Sequence, residues 1–450
     1  TADTIYRLDL TVNDTLTIDA DSAIDVSARG FPHQVVPAGV TPASYRCGAS
    51  HGGTGGLGGD GRGLHVPKGR ANDCYGSFRD PDLPGAGGGT TYPAGAIGAG
   101  GGVARITAGT AQVAGRIAAN GQNSGHQYTG GGAGGSIRLD VGILTGTGTI
   151  EANGGNGRTA NYHETGAGGG GRIAIYADDR SEFDTSHITC HGTLGFAGYS
   201  AVGTVYLEGA DGIGELRVDS HGSDVGRWTP LGVEGDTRVD VGRLVVNGAG
   251  VEVVPGLPVL PIQAGSAEIT GGANLSHLPT TSTAEYRLDL SVEGTLLIDS
   301  ASAIDVNGRG YLCDYTLGNT REYGATGYSG GSYGGRGGNF WGSSNARYGR
   351  TEFPNELGSG GGRKDDDWVV ARGIGGGLVH LSAREAIVDG TIAANGINAG
   401  PDYYGGGSGG GILLNVGYLS GIGTVEAKGG APRASYWEFY RAGGGGGGRI

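Results

Sequence analysis

Residues 6–30 read YRLDLTVNDTLTIDADSAIDVSARG, and this stretch decides the fold class. It contains three pairs of apolar residues, with one polar residue between the two members of each pair. That alternation predicts three short β-strands with one face turned inward, and the links between them are too short for helical crossovers. We therefore predict an all-β fold, a right-handed parallel β-helix with three short strands per coil, whose coils must stack to bury their apolar residues.

The same stretch returns later in the chain, which indicates a repeat protein. Residues 6–10 recur unchanged at 286–290, and residues 117–121 recur unchanged at 392–396. A third block, Thr149-Ile150-Glu151-Ala152, returns as Thr424-Val425-Glu426-Ala427. The predicted units are a first repeat at 1–280 and a second, truncated repeat at 281–450.

Each unit is predicted to contain coils of about twenty residues. The predicted coils lie near 5–30, 103–121, 136–154 and 172–192 in the first unit, with an irregular stretch at 204–278, and near 286–310, 378–396 and 412–430 in the second. Their inward apolar positions form the predicted solenoid core: Leu8, Leu10, Ile18, Ile24, Val26, Ile117, Ile137, Leu139, Ile150, Ile173, Ile175, Leu288, Leu290, Ile298, Ile304, Ile392, Ile412, Leu414 and Val425.

Glycine accounts for 102 of the 450 residues and lies in blocks between the strands, without the Gly-X-Y period of collagen. These inserts follow the third strand of the coils, so all of them should emerge at one edge of the solenoid. Two states are open for them: flexible solvated loops, or extended strands of the polyglycine II type that bond to one another. The second state predicts protection of the amides of residues 166–171 from hydrogen exchange. The inserts are 31–102, 121–135, 154–171, 192–203, 311–377, 396–411 and 430–448.

Charge and hydropathy exclude two classes of function. The formal net charge is −13, and no cluster of Lys and Arg offers a track for phosphates, so we expect no nucleic-acid partner. No run of about 18 apolar residues is present, so we expect no membrane span in this segment. Because the chain starts at Thr1 and stops at Ile450 inside a motif, we expect it to be part of something longer.

Four cysteines and two glycosylation sequons are candidate modification sites. Cys47 and Cys74 lie in one insert, and a disulfide between them would suit an oxidising compartment, whereas free thiols are the alternative. Cys190 and Cys313 have no partner that the sequence indicates. The sequons begin at Asn13 and Asn274, and if they carry glycans, both asparagines should be exposed.

The sequence predicts no catalytic, cofactor-binding or metal-binding residues. The acidic groups near 178–184 and at 365–367 read as polar turns, because no base is positioned beside them. His187 and His191 flank Cys190, but in a strand the cysteine would point to the opposite face from His187, so zinc is not favoured. His163 is the other histidine of this group. Calcium stays an open alternative, although Gly58-Gly59-Asp60-Gly61 is the single echo of a calcium-binding repeat.

Three strings carry a resemblance to a known family: residues 131–139, GGAGGSIRL; residues 148–155, GTIEANGG; and residues 168–176, GGGGRIAIY. Together with 16–19 and 24–26, they resemble the glycine-rich repeat of very large secreted bacterial surface proteins, which has relatives among plant glycine-rich proteins. The resemblance implies a parallel β-solenoid at the cell surface or outside the cell. It implies no reaction and supplies no catalytic residues.

We expect a structural component of an extracellular fibre or long surface appendage, not an enzyme, which self-associates or continues within a longer chain. A cell-surface adhesin that recognises glycans through its inserts is the alternative, because tyrosine, glycine and serine suit recognition loops. A polysaccharide-active β-helix enzyme is a remote third alternative. The insert tyrosines are Tyr45, Tyr75, Tyr92, Tyr311, Tyr315, Tyr323, Tyr328, Tyr333 and Tyr348, and packing of the inserts against the solenoid would explain them equally.

Overall fold

The computed structural model describes residues 5–60, 67–92, 97–160, 163–195, 199–363, 372–399, 404–432 and 441–450. They divide into two compact units, the first comprising 1–233, 241–253 and 270–273 and the second 234–240, 254–269 and 274–450. The described residues contain no α-helix, and therefore none that is long and apolar enough to cross a membrane. The elements are β1 Leu8–Ile18, β2 Ala23–Asp25, β3 Gly58–Asp60, β4 Pro67–Lys68, β5 Val103–Val113, β6 Arg116–Ala118, β7 Ser136–Thr145, β8 Thr149–Glu151, β9 Thr159–Ala160, β10 His163–Glu164, β11 Arg172–Asp179, the 3-10 helix Thr185–His187, β12 Ile188–Thr189, β13 Thr204–Glu208, β14 Gly214–Asp219, β15 Trp228–Leu231, β16 Val239–Asn247, β17 Glu252–Pro255, β18 Ile262–Thr270, β19 Asn274–Leu275, β20 Leu288–Ile298, β21 Ala303–Asp305, β22 Leu378–Val388, β23 Thr391–Ala393, β24 Gly411–Ser420 and β25 Thr424–Glu426.

The first unit is built on two mainly parallel sheets. In the long-strand sheet β1, β5, β7, β11 and β13 pair in parallel in that order, whereas β14 pairs antiparallel with β13 and parallel with β16. In the short-strand sheet β2, β6, β8 and β12 are parallel neighbours. A small antiparallel sheet, in the order β4, β3, β10 and β9, lies within the glycine-rich inserts.

The second unit repeats the two parallel sheets. Strands β18, β20, β22 and β24 pair in one sheet, and β19, β21, β23 and β25 pair in the other. Equivalent residues pair in both units: Leu10 lies opposite Ile106, and Leu290 lies opposite Leu381. The prediction of an all-β fold dominated by parallel sheets is therefore confirmed.

The prediction of three strands per coil is wrong in one respect, because the first two predicted strands form one. Strand β1 runs unbroken through eleven residues, and its pairing with β5 shifts register between Val12 and Thr15. Strand β20 shows the same shift between Val292 and Thr295. A bulge lets a strand bend while its pairing continues, so the polar residues at this point bend the strand and do not end it.

All the predicted core positions except Val26 lie in the strands, and most of them are buried more completely on interior strands than on end strands. On interior strands they are almost completely inaccessible, as for Ile117, Ile150 and Leu288, each with 0% exposure. The half-buried positions lie on β1, β24 or the short strands that follow them: Leu8, Leu10, Ile24, Val26, Leu414 and Val425. A strand neighbour on each side therefore completes the burial of most of these positions, while Ile18 on β1 and Ile412 on β24 are buried without one, at 4% and 0% exposure.

Candidate functional site: the glycine bundle and the open strand edges

The glycine-rich segments are packed against one another, and their backbone hydrogen bonds follow a period of three. In the run 405–410 of the second unit each N–H donates to a neighbouring segment, and every third donor meets the same segment. The three neighbours are 359–362, 443–446 and 394–397. The donor and acceptor pairs are Gly405 to Gly362, Ser408 to Ser359, Gly406 to Gly443, Gly409 to Gly446, Gly407 to Ile397 and Gly410 to Ala394.

The first unit has the same arrangement in the run 131–135. Gly131 and Gly134 donate to the segment 166–169, while Gly132 and Gly135 donate to the segment that ends the β6 coil. A period of three with no bonds inside the run is the pattern of an extended helix with three residues per turn. Of the two states left open by the sequence, the described inserts adopt the ordered one. In each unit we call the glycine-rich segments that bond to one another in this way the glycine bundle: 131–135 with its bonded neighbours in the first unit, and 405–410 with its bonded neighbours in the second.

Glycine is required in the bundle because neighbouring backbones approach too closely for a side chain. A Cβ at Gly168 would lie 1.9 Å from the carbonyl oxygen of Gly132, and one at Gly405 would lie 1.9 Å from that of Ser329. Neither glycine has a positive φ, so close approach and not backbone conformation excludes other residues. Glycine serves the triple helix of collagen for the same reason.

Each long insert contains a matching polar motif that anchors the bundle. In the first unit Asn72 accepts from the N–H of Ser50 at 2.8 Å, and in the second Asn345 accepts from the N–H of Ser332 at 2.7 Å. The motif gives no periodic apolar signal, and the glycines around it hide it in the sequence. Direct comparison of the inserts would have found it: SHGG at 50–53 and NDCYG at 72–76 match SYGG at 332–335 and NARYG at 345–349.

An arginine from the strand region binds this motif in both units. Arg172 has 1% exposure and donates its Nε to the Tyr75 carbonyl oxygen at 3.0 Å, and Arg449 donates to the Tyr348 carbonyl oxygen at 3.1 Å. The ring that follows the motif serine differs between the units. It is His51 in the first, where burial and then the Arg172 charge lower its pKa to about 3.

In the second unit the corresponding ring is Tyr333, and the Arg449 guanidinium lies 5.4 Å from its centroid in a cation–π contact. A neutral ring thus lies beside the anchoring arginine in both units: burial keeps His51 neutral, and Tyr333 is uncharged by its chemistry.

The predicted Cys47–Cys74 disulfide is not formed, because all four cysteines are free thiols. Cys47 Sγ accepts from the N–H of Gly58 at 3.3 Å, whereas Cys74 Sγ lies 3.8 Å from Thr54 Oγ1. Burial raises the pKa of Cys74 to about 11 and that of Cys313 to about 12. Thiols with raised pKa values are poor nucleophiles, so these cysteines act as small packing residues.

The two sequons lie in different environments. Asn13 is exposed on β1, at the register shift. Asn274 is only half-buried, but its Oδ1 accepts from the N–H of Asp305 at 2.9 Å, and Ser276 of the same sequon has 0% exposure. The expectation that both asparagines are exposed is therefore wrong for Asn274, since this strand end is used for pairing with the next coil.

Asn274 belongs to a set of side chains that bridge successive coils. The Oδ1 of Asn120 accepts from the N–H of Asn153, and the Oδ1 of Asn153 accepts from the N–H of His191 at 2.7 Å. In the second unit the N–H of Asn395 donates to Asn307, and Asn395 Oδ1 accepts from the N–H of Lys428. These ladders fix one coil over the next at the end of each short strand.

The polar residues considered for metals and catalysis are not brought together. Cys190 is buried and its Sγ donates to the Thr204 carbonyl oxygen, whereas His187 is partly exposed and its ring contacts the Gly148 carbonyl oxygen. Asp184 caps the 3-10 helix, and Asp178 and Asp179 are exposed. Within the described part of the chain no group of three His, Cys, Asp or Glu could hold a metal. Residues 365–367, Gly61 and the side chains of Asp60 and His163 lie outside what the structure describes.

Sequence reasoning also missed a carboxylate–imidazole pair on the outward face of the second unit. His380 Nδ1 lies 2.9 Å from Asp289 Oδ1, beside a groove of about 330 Å³. Burial would raise the pKa of Asp289, but hydrogen bonds from His380 and Arg287 lower it below its usual value. The pair is an ion pair when His380 is protonated, and the serines that line the groove, Ser291 and Ser382, bond to each other.

The insert tyrosines divide between packing and exposure. Tyr75, Tyr311, Tyr328 and Tyr333 have 5% exposure or less, which agrees with a packing role. Tyr92 and Tyr323 are 57% and 81% exposed.

The ends of the long-strand sheets leave apolar residues uncovered. Leu144 on β7 has 0% exposure, whereas Leu419, which stands 275 residues later at the matching position of β24, has 53%. Leu290 on β20 has 2% exposure, whereas its counterpart Leu10 on β1 is half-buried. The same side chain is thus buried or exposed according to whether a further strand lies beside it.

Comparisons of this chain with protein-family models, with curated proteins and with solved structures found no match. The resemblance to the secreted glycine-rich repeat family therefore stays a prediction.

Proposed function

We propose that this chain is a segment of a right-handed parallel β-solenoid and serves as a non-catalytic structural component of an extracellular fibre or long surface appendage. The observation that carries the proposal is the contrast between Leu144 and Leu419, at 0% and 53% exposure. Because the equivalent leucine is fully buried in the first copy of the repeat, one more coil packed beside β24 would bury Leu419 in the second. That coil can belong to the same chain or to another copy.

Two further features support a load-bearing role. Strand β1 of the first unit and strand β24 of the second each have a neighbouring strand on one side only, apart from a bridge between Gly411 and Arg449, and a strand edge of this kind is a template for the addition of a strand. The glycine bundle joins segments that are far apart in sequence through hydrogen bonds in three directions, such as Gly406 to Gly443 and Gly407 to Ile397. A rod reinforced in this way resists bending better than a single stack of coils. The extracellular location rests on the family resemblance alone.

Electron microscopy of the purified chain, with power spectra of any rods, tests the proposal. Long filaments with a meridional reflection near 4.8 Å are expected, because this is the spacing of stacked strands. Leu419→Lys should shorten or abolish them, because a charge would be buried in the added coil while costing little in the isolated chain. Val259→Lys is the matched control, since Val259 is 55% exposed and lies outside the edge strands.

Compact particles without the 4.8 Å spacing would overturn both the solenoid and the fibre. Short rods with the spacing, unaffected by Leu419→Lys, would keep the solenoid and reject assembly through this edge.

A further inference from the structure

Three aromatic rings of the second unit's long insert form a cluster that opens onto solvent. The ring centroids of Tyr328, Phe340 and Trp341 lie 5.8, 6.0 and 6.3 Å apart, and their planes are within 14–27° of one another. Three nearly equal distances cannot arise from a single stacked column, so the rings lie beside each other with similar tilt. Tyr328 is buried with 2% exposure, while Trp341 is 62% exposed.

Trp341 is unusual in its backbone as well as its exposure. Its φ is +49°, in the left-handed region where a bulky residue is disfavoured. The segment is nevertheless ordered by backbone bonds across the insert, from Tyr328 N–H to the Phe340 carbonyl oxygen at 2.9 Å and from Gly330 N–H to that of Gly338 at 2.8 Å. A large apolar ring is thus held outward in a strained conformation, and strain of this kind is concentrated at binding sites.

The first unit shows what the same scaffold does without these rings. The matching motif residues, Ser50 and Ser332, accept from Gly55 and Gly337, which fixes the alignment of the two inserts. Counting forward without a gap places Gly58 and Gly59 where Phe340 and Trp341 stand. Both glycines are buried in β3, which pairs with β4 and β10. The fold therefore accepts glycine at these two positions, so the aromatic pair is not needed to form the insert.

The surroundings of Trp341 indicate an uncharged ligand. Residues 337–345 read GGNFWGSSN and contain no charged residue, while Ser343 and Asn339 are exposed. A cationic ligand would meet the Arg336 guanidinium, which donates to Ser344 Oγ at 3.4 Å, and a nucleic acid is disfavoured by the net charge of −13. The face of an aromatic ring carries partial negative charge and attracts the C–H groups on the apolar face of a sugar ring.

We propose that Trp341, supported by Phe340 and Tyr328, is a stacking platform for a neutral saccharide ring, with Ser343 and Asn339 available for its hydroxyl groups. The assignment is independent of fibre formation, because it uses the insert and not the strand edges. It gives one part of the predicted adhesive function to named residues.

Calorimetric titration of the full chain with neutral hexasaccharides of glucose, mannose, xylose and N-acetylglucosamine tests the platform. At least one is expected to bind, and Trp341→Gly should weaken that binding at least tenfold. The same substitution relieves the positive φ and restores the residue found in the first unit, so the midpoint of thermal unfolding should stay unchanged or rise. Trp341→Phe should retain part of the affinity. Tyr92→Ala is the control, because Tyr92 is 57% exposed in the other long insert.

The absence of binding by all four hexasaccharides would overturn the proposal, as would equal affinity in the Trp341→Gly variant. If sedimentation shows association of copies that Trp341→Gly abolishes while saccharide binding is absent, the platform is a protein contact and the saccharide assignment fails.

Discussion

The parallel sheets and the glycine bundle lie in the same units and are held together in opposite ways. In the sheets, apolar side chains such as Ile117 and Ile150 fill the interior and the register follows from their alternation. In the bundle, side chains are absent where segments meet, and backbone groups bond directly to three neighbours. The sheets are thus specified by their apolar side chains, and the bundle is specified by the absence of side chains at its glycines.

This difference sets the kind of change that each region tolerates. A sheet position accepts many residues on its outward face, as shown by Arg105 at the position where the second unit has His380. A bundle position such as Gly168 accepts no side chain, because a carbonyl oxygen occupies the place of its Cβ. Substitutions should therefore be tolerated at every second position of a sheet strand, on its outward face. They should not be tolerated at the glycines where segments of the bundle meet.

The largest effect is expected from a charge in the sheet interior. Ile117→Asp places a carboxylate at a position with 0% exposure and should lower the free energy of unfolding by about 4 kcal/mol, because no partner compensates the buried charge. Ala114→Asp is the control, since Ala114 is exposed beside the same strand and should change stability by less than about 0.5 kcal/mol. Chemical denaturation measures both, and equal stabilities would contradict the strand register.

The next effect is expected from one methyl group in the bundle. A Cβ at Gly446 would lie 2.2 Å from the Gly335 carbonyl oxygen, so Gly446→Ala should destabilise the chain by about 2–3 kcal/mol. At the adjacent Gly447 the nearest atom is 4.0 Å away, and Gly447→Ala should be neutral or stabilising by about 0.5 kcal/mol. Thermal unfolding of the two variants compares the sites within a single run.

Hydrogen exchange sharpens the same contrast without a substitution. The amides of 168–171 donate to backbone carbonyls and should exchange as slowly as the paired amides of β11. Exchange at the rate of an unfolded peptide in this run would show that the bundle is open in solution, and the alanine variants would then be indistinguishable.

A smaller, pH-dependent effect is expected from two buried histidines. Burial lowers the pKa of His51 to about 3 and that of His277 to about 4, whereas the unfolded chain protonates histidine near 6.5. Below pH 6.5 both histidines are therefore protonated in the unfolded state, whereas in the folded state they stay neutral until the pH approaches their lowered pKa values. Each histidine should lower stability by about 1.4 kcal/mol per pH unit until its folded pKa is approached.

His51→Tyr introduces the residue that the second unit has at this position. It should remove the part of the pH dependence of stability that is due to His51, and leave the part that is due to His277 beside β22. Denaturation midpoints between pH 7 and pH 4 measure the difference. An unchanged slope in this variant would show that His51 is accessible to solvent and protons.

The smallest effect is expected from the ladders that join the coils. Asn395→Ala removes the acceptor for the Lys428 N–H and the donor to Glu426, and should cost about 1 kcal/mol. Lys428→Ala is its control, because the lysine side chain is 72% exposed and its pairing with Glu426 contributes little. Equal losses in both variants would assign the effect to the surface ion pair.

The sequence predicted the parallel sheets because alternation and repeats are local signals, as in 6–10 and 286–290. It failed where distant segments decide the result. The bend in β1 keeps its pairing through the partner strand β5, which no local pattern encodes. The Cys47–Cys74 pairing was inferred from loop length alone, whereas the bundle holds the two thiols against different partners.

The candidate sites show the same limit. The aromatic cluster combines Tyr328 with Phe340 and Trp341 only because the insert folds back on itself. The sequence therefore predicted recognition by tyrosine-rich inserts, but it did not indicate that Trp341 is the exposed ring. The matching motifs of the inserts were present in the sequence and were missed because glycine obscured their alignment. Comparing the inserts after removal of the glycine runs would have found them.

The period of three in the bundle gives each glycine run a phase. Inserting one residue at Gly407 would turn every later donor toward the wrong neighbour, and two residues would do the same, whereas three would restore each bond one turn further along. The coding sequence of such a run should therefore gain and lose material in blocks of nine nucleotides. Gain or loss of a single codon would break these bonds even though it keeps the reading frame intact.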